Sequence, residues 1–519
     1  MGAVGSAFTQ LQQHLHHTRL LGSISSALYY DQNTVLPAAG AAWRGEQLAL
    51  LAGQLHDRQS SAEYAELVGA AEAELGADAP PERRRNLELL RLELERQRSL
   101  DPDLVRALAM AQSRGNAVWQ DARARNDFSA FAPALQELIT LRRQQANQLA
   151  AAESVARSPW EILAQPFEPD VSKARLEELF APLKVELPAL LEQVARARGQ
   201  AATDGAPSAA DLPEALQEQL CGELLDSWGY DPARCQRSRS AHPFSCTLGP
   251  QDFRITTRVV PGQPLSAFLA TAHEWGHSLY EQGLPRGDDH YYPWPLGEAT
   301  SMGVHESQSL FWECRVARSQ AFAKRWYPRF CSGLGGGPAS DPWGGVSGFW
   351  RALNPLQPGL IRVEADELSY GLHIVLRYEL ELALLEQEMP VEELPQQWNR
   401  RMGEWLGLVP ERDSEGCLQD IHWAEGLFGY FPSYALGHLI SAQLAEAMER
   451  DLGGAGAIAG AIAAGEERRL QQWLGARVWP LGRSVNGEEL VARVSGQALS
   501  AEPFLRYLRG KVEALQAPS

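Results

Sequence analysis

The chain of 519 residues carries 47 lysines and arginines against 65 aspartates and glutamates, a formal net charge of −18 at pH 7. With 45% hydrophobic and 22% charged residues, its composition is that of a globular protein, which excludes disordered, collagen-like and small disulfide-rich proteins. So acidic a balance argues against binding nucleic acid or an anionic membrane through the overall electrostatic field.

The cysteine content and the apolar stretches indicate in which cellular compartment the protein works. Six cysteines are sparse for this length and show no CxxC spacing, which is typical of a reducing compartment and predicts free thiols. No window reaches the roughly 20 apolar residues of a membrane span. Polar side chains also interrupt the beginning of the chain, where a secretory signal would be continuously apolar. We therefore expect a cytoplasmic protein without a membrane partner.

Helical periodicity dominates residues 6–200, which are rich in Ala, Leu, Glu, Arg and Gln. Pro and Asp interrupt this pattern at residues 36–37, 78–81, 101–102 and 167–170, where helices are expected to begin or end. The stretches 201–213 and 333–345 are predicted to be surface loops. None of these breaks resembles a linker between domains.

One later segment has the periodicity of a β-strand. Between Asp252 and Val260, apolar Phe253, Ile255 and Val259 alternate with polar side chains. Helical spacing returns over residues 265–282, 300–322, 368–387 and 434–450. The sequence therefore predicts a mainly α-helical protein with one short strand just before the helix of residues 265–282.

That helix contains an HExxH pattern, from His273 to His277. Residues four apart lie on one helix face, so His273 and His277 can share one metal ion, with Glu274 beside them to handle a proton. A pair of core histidines is the alternative. A catalytic zinc ion takes three protein ligands and keeps one position open, so a third ligand is needed.

The third ligand is expected on another helix, because Tyr280 and Gly283 stand where a metzincin has glycine and histidine. Glu306 lies far enough beyond His277 for the first helix to end and a second helix to return. On spacing alone, three other carboxylates are rivals: Glu281, Glu298 and Glu313.

Six short motifs, taken in order, make a family resemblance specific. They are His242-Pro243-Phe244, Asp252-x-Arg254-x-Thr256, His273-Glu274-x-x-His277, His305-Glu306-Ser307-Gln308, Ile361-Arg362-x-x-Ala365-Asp366 and Gly416-x-x-Gln419-Asp420-x-His422-Trp423. With matching segments in the amino-terminal half, the sequence resembles the carboxypeptidase Taq family of metallocarboxypeptidases over nearly the whole chain. Cys314 is a departure, since asparagine is expected at this position in the family.

The resemblance implies a mainly α, two-lobed fold of the neurolysin type, with a deep central groove and a small β-sheet beside the metal. Residues 1–519 would form one catalytic domain, with a mostly helical lobe over 1–200 and the metal-bearing catalytic region over 201–519. The implied activity is removal of single residues from the free carboxyl end of short peptides of broad sequence, by a homodimer.

The family's metal ligands correspond to His273, His277 and Glu306, and its general base to Glu274. Zinc is the expected ion, one per chain, and cobalt is the alternative, because two histidines and one glutamate suit several divalent metals. Glu274 would then assist attack of a metal-activated water on the scissile carbonyl.

Attack on a peptide carbonyl also builds an oxyanion, which needs a hydrogen-bond donor besides the metal. The candidates are His422 and the tyrosines Tyr430 and Tyr434, of which Tyr434 is preferred. The alternative for each is an ordinary buried side chain that satisfies a hydrogen bond in the core.

An exopeptidase must bind the terminal carboxylate, which Arg362 and Arg254 can do through a two-pronged contact. Internal ion pairs are the alternative, Arg362 with Asp366 and Arg254 with Asp252. An exposed edge of the predicted strand is expected to pair with extended substrate backbone.

Two other functions stay open. One is an endo-acting oligopeptidase or dipeptidyl carboxypeptidase on the same scaffold. The other is a catalytically silent helical binding protein, although such a scaffold has no reason to keep the proton-handling Glu274.

Overall fold

The computed structural model describes residues 6–76, 78–151, 155–200, 212–286, 293–334 and 341–517. Most of the predicted loop 201–213 and residues 335–340 of the predicted loop 333–345 lie outside these ranges. The amino-terminal helices are α1 (Ala7–Thr34), α2 (Ala41–Ser60), α3 (Ala62–Ala73), α4 (Pro81–Arg98), α5 (Pro102–Arg125), α6 (Phe128–Ala150), α7 (Pro159–Ala164), α8 (Lys173–Gln200) and α9 (Glu214–Ser227).

The predicted helix boundaries in this half are confirmed, and local chemistry explains them. α4 and α5 both begin at a proline, where the missing N–H costs nothing because the first turn has no intrahelical partner for it. The Asp101 side chain caps α5 by accepting a hydrogen bond from the backbone N–H of Asp103. α5 ends at Asn126, whose φ of 56° places it in the left-handed region that terminates helices.

The predicted strand is confirmed and belongs to a small mixed sheet. Its strands are β1 (Cys235–Arg239), β2 (Ser245–Gly249) and β3 (Asp252–Thr257), in the order β1-β3-β2. β3 pairs parallel with β1, with Cys235 opposite Phe253, and antiparallel with β2. The expectation of an exposed edge on β3 is therefore wrong, because both edges of this central strand are hydrogen-bonded within the sheet.

The second half returns to helices, as predicted, with one irregularity. Residues 300–322 do not form a single helix. α11 passes into a π-helical segment over Phe311–Ala317, and the Ser319 side chain caps a new helix by accepting from Phe322 N–H. The helices here are α10 (Ser266–Gly283), α11 (Met302–Leu310), α12 (Gln320–Gly333), α13 (Val346–Leu353), α14 (Tyr370–Leu385), α15 (Leu394–Leu406), α16 (Pro432–Leu452), α17 (Ala457–Ala464), α18 (Glu467–Arg477), α19 (Gly487–Ser495) and α20 (Glu502–Gln516).

Two apolar cores hold these elements. The larger one is continuous from Trp119 on α5 to Val512 on α20 and surrounds α10, α11 and α16. The smaller one is built by α1, α3 and α4 and is closed by Trp294. Among the described residues, no helix combines the length and apolarity needed to cross a bilayer. All six cysteines are free thiols.

Candidate metal centre

α10 and α11 approach each other closely at the HExxH segment. A Cβ atom on Gly276 would lie 2.7 Å from the carbonyl oxygen of Gln308 and 2.7 Å from the Cα of Ser309. Only glycine allows this approach, because any larger side chain would push the two helices apart. The glycine inside the motif thus brings the histidines of α10 against Glu306 of α11.

The ligand atoms of His273, His277 and Glu306 all lie within 4.8 Å of one another. Glu306 Oε2 is 3.8 Å from His273 Nε2 and 3.4 Å from His277 Nε2. Bonds of about 2.0–2.1 Å around a tetrahedral ion separate its ligand atoms by roughly 3.3 Å, so these three donors fit a zinc-type ion. The three side chains are 14–23% exposed, which leaves one side of the site open to a water molecule or substrate.

Outer hydrogen bonds orient the first histidine. His273 Nδ1 lies 2.9 Å from Glu313 Oε2, while Glu313 Oε1 accepts from Arg318 Nη2 at 2.7 Å. A protonated Nδ1 that donates to this carboxylate leaves the Nε2 lone pair free for a metal. Glu313, a rival ligand on spacing alone, therefore acts behind His273.

A second chain of contacts orients the other histidine. His277 Nδ1 lies 2.7 Å from His305 Nδ1, and His305 Nε2 lies 3.1 Å from Glu281 Oε1. Since Glu281 also accepts from Arg286 Nη2 at 2.7 Å, it is a carboxylate and His305 Nε2 is the donor. When His305 is neutral, its Nδ1 accepts from His277 Nδ1–H, and the His277 Nε2 lone pair is then free for an ion.

The last rival, Glu298, is not near this centre. Its carboxylate pairs with Arg19 and Arg483 and joins α1 to the segment after α18. Of the four carboxylates allowed by spacing, only Glu306 presents its oxygen to both histidines.

The pKa values in this cluster are set by burial and by mutual charge. Burial lowers the pKa of His273, but the Glu306 carboxylate and Glu313 outweigh it and raise this pKa to about 10. Burial raises the pKa of Glu306, whereas His273 and His277 outweigh it and lower this pKa to about 2. Burial raises the pKa of Glu274 to about 7 against the opposing charge of His273. Glu274 can therefore take up and release a proton near neutral pH.

α16 brings a tyrosine to the same place. A Cβ atom on Gly437 would lie 2.7 Å from the Cγ of Glu306, so α16 packs directly against this candidate ligand. Tyr434, one turn earlier on α16, has its hydroxyl oxygen 3.4 Å from His422 Nε2. These two oxyanion candidates of the sequence are thus neighbours of each other.

Their protonation states suit hydrogen-bond donation. Burial raises the pKa of Tyr434, and the Glu306 charge adds to this effect while Arg362 opposes it. Burial lowers the pKa of His422 to about 4, so its imidazole is neutral at pH 7. Both groups can therefore offer a proton to a developing oxyanion without carrying a charge of their own.

Arg362 lies beside this pair, with its guanidinium carbon 4.9 Å from the centre of the Tyr434 ring. Its Nε donates to Asp420 Oδ1 at 2.9 Å and its Nη1 to the Tyr370 hydroxyl at 3.2 Å. Arg377 Nε holds the other oxygen of Asp420 at 2.7 Å. Asp420 thus fixes two buried arginines, and Arg362 Nη2 has no hydrogen-bond partner among the described residues.

The alternative of an internal ion pair is present for Arg362 too, but its partner is Asp420 and not Asp366. Asp366 Oδ1 instead accepts from the backbone N–H groups of Leu368 and Ser369, just before α14. Sequence reasoning also missed Tyr370 and Arg377. Arg377 lies on α14 among apolar residues, and an arginine there is a signal of a buried partner.

Arg254 has a different environment. Its Nε and Nη2 both donate at 2.8 Å to the carboxylate of Asp252, and its guanidinium lies 4.8 Å from the centre of the Tyr30 ring. The alternative of an internal ion pair is therefore present for Arg254, which does not join the cluster of Arg362, His422 and Tyr434.

Comparisons with known proteins give the family. The family model of the carboxypeptidase Taq (M32) metallopeptidases matches residues 10–512. Thermostable carboxypeptidase 1 of Thermus thermophilus is 37% identical over 98% of this chain and 99% of its own. Carboxypeptidase 1 of Bacillus subtilis is 33% identical over 94% of both chains.

Solved structures with a similar fold indicate the same family. The M32 carboxypeptidase from Deinococcus radiodurans R1 has a TM-score of 0.91 and 33% identity, covering 99% of this chain and 100% of its own. Metallocarboxypeptidase 1 of Trypanosoma cruzi has the same TM-score of 0.91 and 33% identity, covering 98% and 99%. The chain therefore belongs to the carboxypeptidase Taq (M32) family of metal-dependent carboxypeptidases.

Proposed function

We propose that this protein removes single residues from the free carboxyl end of short peptides of broad sequence, with one divalent ion per chain held by His273, His277 and Glu306. Zinc is the first candidate for this ion and cobalt the second, because the donor set suits both. The observation that carries the proposal is the convergence of these three ligand atoms within 4.8 Å, together with the hydrogen-bond partners behind the two histidines.

The chemistry then divides between the ion and the chain. A divalent ion in this site supplies Lewis acidity, which activates a water molecule and polarises the scissile carbonyl. Glu274, buried beside His273, accepts the proton of the attacking water and passes it to the leaving amine. Its pKa of about 7 suits both transfers. Tyr434 and His422 donate hydrogen bonds to the oxyanion.

Arg362 makes the enzyme an exopeptidase in this proposal. Its Nη2 and the adjoining edge of the guanidinium bind the terminal carboxylate, while Asp420 and Tyr370 hold the group in place. Because Arg362 packs on Tyr434, the carboxylate lies close to the oxyanion donors, which limits cleavage to the last peptide bond. Arg254 is the weaker candidate for this role.

The compartment, the oligomeric state and the partners are also part of the proposal. We expect a cytoplasmic homodimer that acts on peptides and binds neither nucleic acid nor membrane. The net charge of −18 supports the latter exclusions, since it repels polyanions and anionic lipid surfaces. Light scattering coupled to size-exclusion chromatography tests the dimer.

The deciding experiment is mass spectrometry of a short free-acid peptide and its carboxyl-amidated twin, incubated with the metal-loaded protein. Stepwise loss of single residues from the free acid alone is expected, and Glu274→Gln is expected to abolish it. Release of dipeptides would establish a dipeptidyl carboxypeptidase. Cleavage of both peptides would establish an endo-acting oligopeptidase, and no cleavage with zinc or cobalt would favour a silent binding protein.

A further inference from the structure

A second group of metal-binding side chains lies apart from the first. The ligand atoms of Cys314, Glu367 and His438 all lie within 4.8 Å of one another, and the group shares no residue with the centre described above. Cys314 and His438 are each only 5% exposed. A thiol, an imidazole and a carboxylate are the donor types that borderline divalent ions such as Zn²⁺ and Co²⁺ take up in proteins.

Three separate elements build this group. Cys314 lies in the π-helical segment Phe311–Ala317, Glu367 precedes α14, and His438 lies on α16. π-Helical turns are rare and occur mostly at functional sites, because they displace side chains from the regular helical positions.

The carboxylate of Glu367 is held from one side only. Its Oε2 accepts from Lys511 Nζ, and the Tyr507 hydroxyl lies 3.3 Å from the same oxygen. Its Oε1 is buried and has no hydrogen-bond partner among the described residues. A buried carboxylate oxygen without a partner is costly, so it points to an occupant that the protein chain does not itself supply.

The remaining surroundings favour a neutral imidazole. The ring of His438 packs 5.5 Å from the Tyr370 ring and 5.2 Å from the Phe504 ring, measured between centroids. These two aromatic rings hold the imidazole beside the thiol. Lys511 pairs with Oε2 of Glu367, as an outer partner that supports a ligating carboxylate does.

We propose that Cys314, Glu367 and His438 bind a second divalent ion of the Zn²⁺ or Co²⁺ type. Binding replaces the S–H bond of Cys314 by a sulfur–metal bond and releases one proton to solvent, with no change of oxidation state. A water molecule completes four-coordination.

The position of this ion indicates what it does. Cys314 follows Glu313, which orients His273, and His438 lies one turn after Tyr434 on the same face of α16. The ion therefore ties the π-helical segment to α16 and to the chain before α14. Its role is structural: it keeps the first metal centre and the oxyanion donors in fixed positions relative to each other.

The test uses the thiolate as a reporter. The first centre offers only nitrogen and oxygen ligands, so a near-ultraviolet Co²⁺–thiolate charge-transfer band reports the second ion alone. Metal-free full-length protein is titrated with Co²⁺, and bound metal is counted by elemental analysis after desalting. We expect the band in the wild type, together with one more ion per chain than in Cys314→Ser, which loses the band.

Control variants distinguish a band that comes from the second site from one that comes from another cysteine or depends on the first centre. His438→Ala and Glu367→Gln keep the thiol and are expected to weaken Co²⁺ binding at this site, with loss of the band at two equivalents of added metal per chain. Cys417→Ser removes a buried thiol elsewhere and is expected to keep the band. His277→Ala weakens only the first centre and should also keep it, so failure of the two sites is distinguishable.

A wild-type protein that binds a single ion without a thiolate band would overturn the proposal. Survival of the band in Cys314→Ser would overturn it equally, since the thiolate would then belong to another cysteine. If Cys314→Ser does not fold, Glu367→Gln decides the question, because it preserves side-chain volume.

Discussion

Replacing Arg362 by alanine separates recognition of the substrate carboxylate from the chemistry at the metal. The guanidinium is 6% exposed, so a substrate carboxylate that reaches it is largely desolvated. A hydrogen bond to a charged group contributes about 1.5–3 kcal/mol. Loss of one to two such bonds costs about 1.5–6 kcal/mol, which is roughly 10- to 10⁴-fold in kcat/KM.

The variant is expected to fold. Arg362 is not the only partner of Asp420, because Arg377 Nε also donates to this carboxylate at 2.7 Å. The substitution therefore does not leave a buried charge unpaired, which is the main cause of severe destabilisation in such networks. Circular dichroism and metal content should match those of the wild type.

The assay compares kcat/KM for a free-acid peptide and its carboxyl-amidated twin. Arg362→Ala is expected to lower the value for the free acid and to leave that for the amide unchanged, so that the preference between them collapses. Arg254→Ala is the matched control. Since both of its donors already serve the partly exposed Asp252, an effect below about 5-fold is expected. Retained preference in Arg362→Ala, or an equal loss in Arg254→Ala, would refute the assignment.

Three further substitutions test other parts of the site. Glu274→Gln is expected to lower turnover by about 10²- to 10⁴-fold with unchanged metal content by elemental analysis, because this residue handles a proton and is not a proposed ligand. Metal loss in this variant would contradict that division. Glu313→Gln removes the charge behind His273 and should weaken metal affinity by about 10- to 100-fold in competition with a chelator. Unchanged affinity would show that the contact does not orient the ligand. Gly276→Ala places a methyl group 2.7 Å from the backbone of α11 and should cost about 1–3 kcal/mol of stability in thermal unfolding. Gly22→Ala, with no neighbour within 4 Å, is its control and should be neutral or stabilising.

The two histidines of the first centre illustrate how buried polar networks set function. The ring of His273 contacts the carboxylate of Glu313, which Arg318 holds. The ring of His277 contacts His305, which in turn contacts Glu281, and Arg286 holds that carboxylate. These outer contacts hold the Nδ1 side of each ring, so each Nε2 faces Glu306 before an ion binds. Pre-organisation of this kind avoids reorganisation when an ion binds.

Local sequence determined much of the fold and the core of the candidate site. The helix of HExxH was predicted over residues 265–282 and runs from Ser266 to Gly283, and the helix predicted over 434–450 runs from Pro432 to Leu452. Apolar periodicity and capping residues act over one or two turns, so they can be read without knowing the rest of the molecule. The pairing of His273 with His277 follows from the same helical spacing.

Tertiary structure alone decided which distant groups meet. Spacing allowed four carboxylates as the third ligand, and only the packing of α10 on α11 brings Glu306 to the histidines and sets Glu313 behind one of them. Arg362 pairs with Asp420 and not with Asp366. The central position of β3 in its sheet is likewise set by the pairing of distant strands. Cys314 meets His438 because the π-helical segment after α11 also lies against α16. Sequence periodicity specifies which face of an element is buried, whereas the partner of that face depends on contacts between segments far apart in the chain.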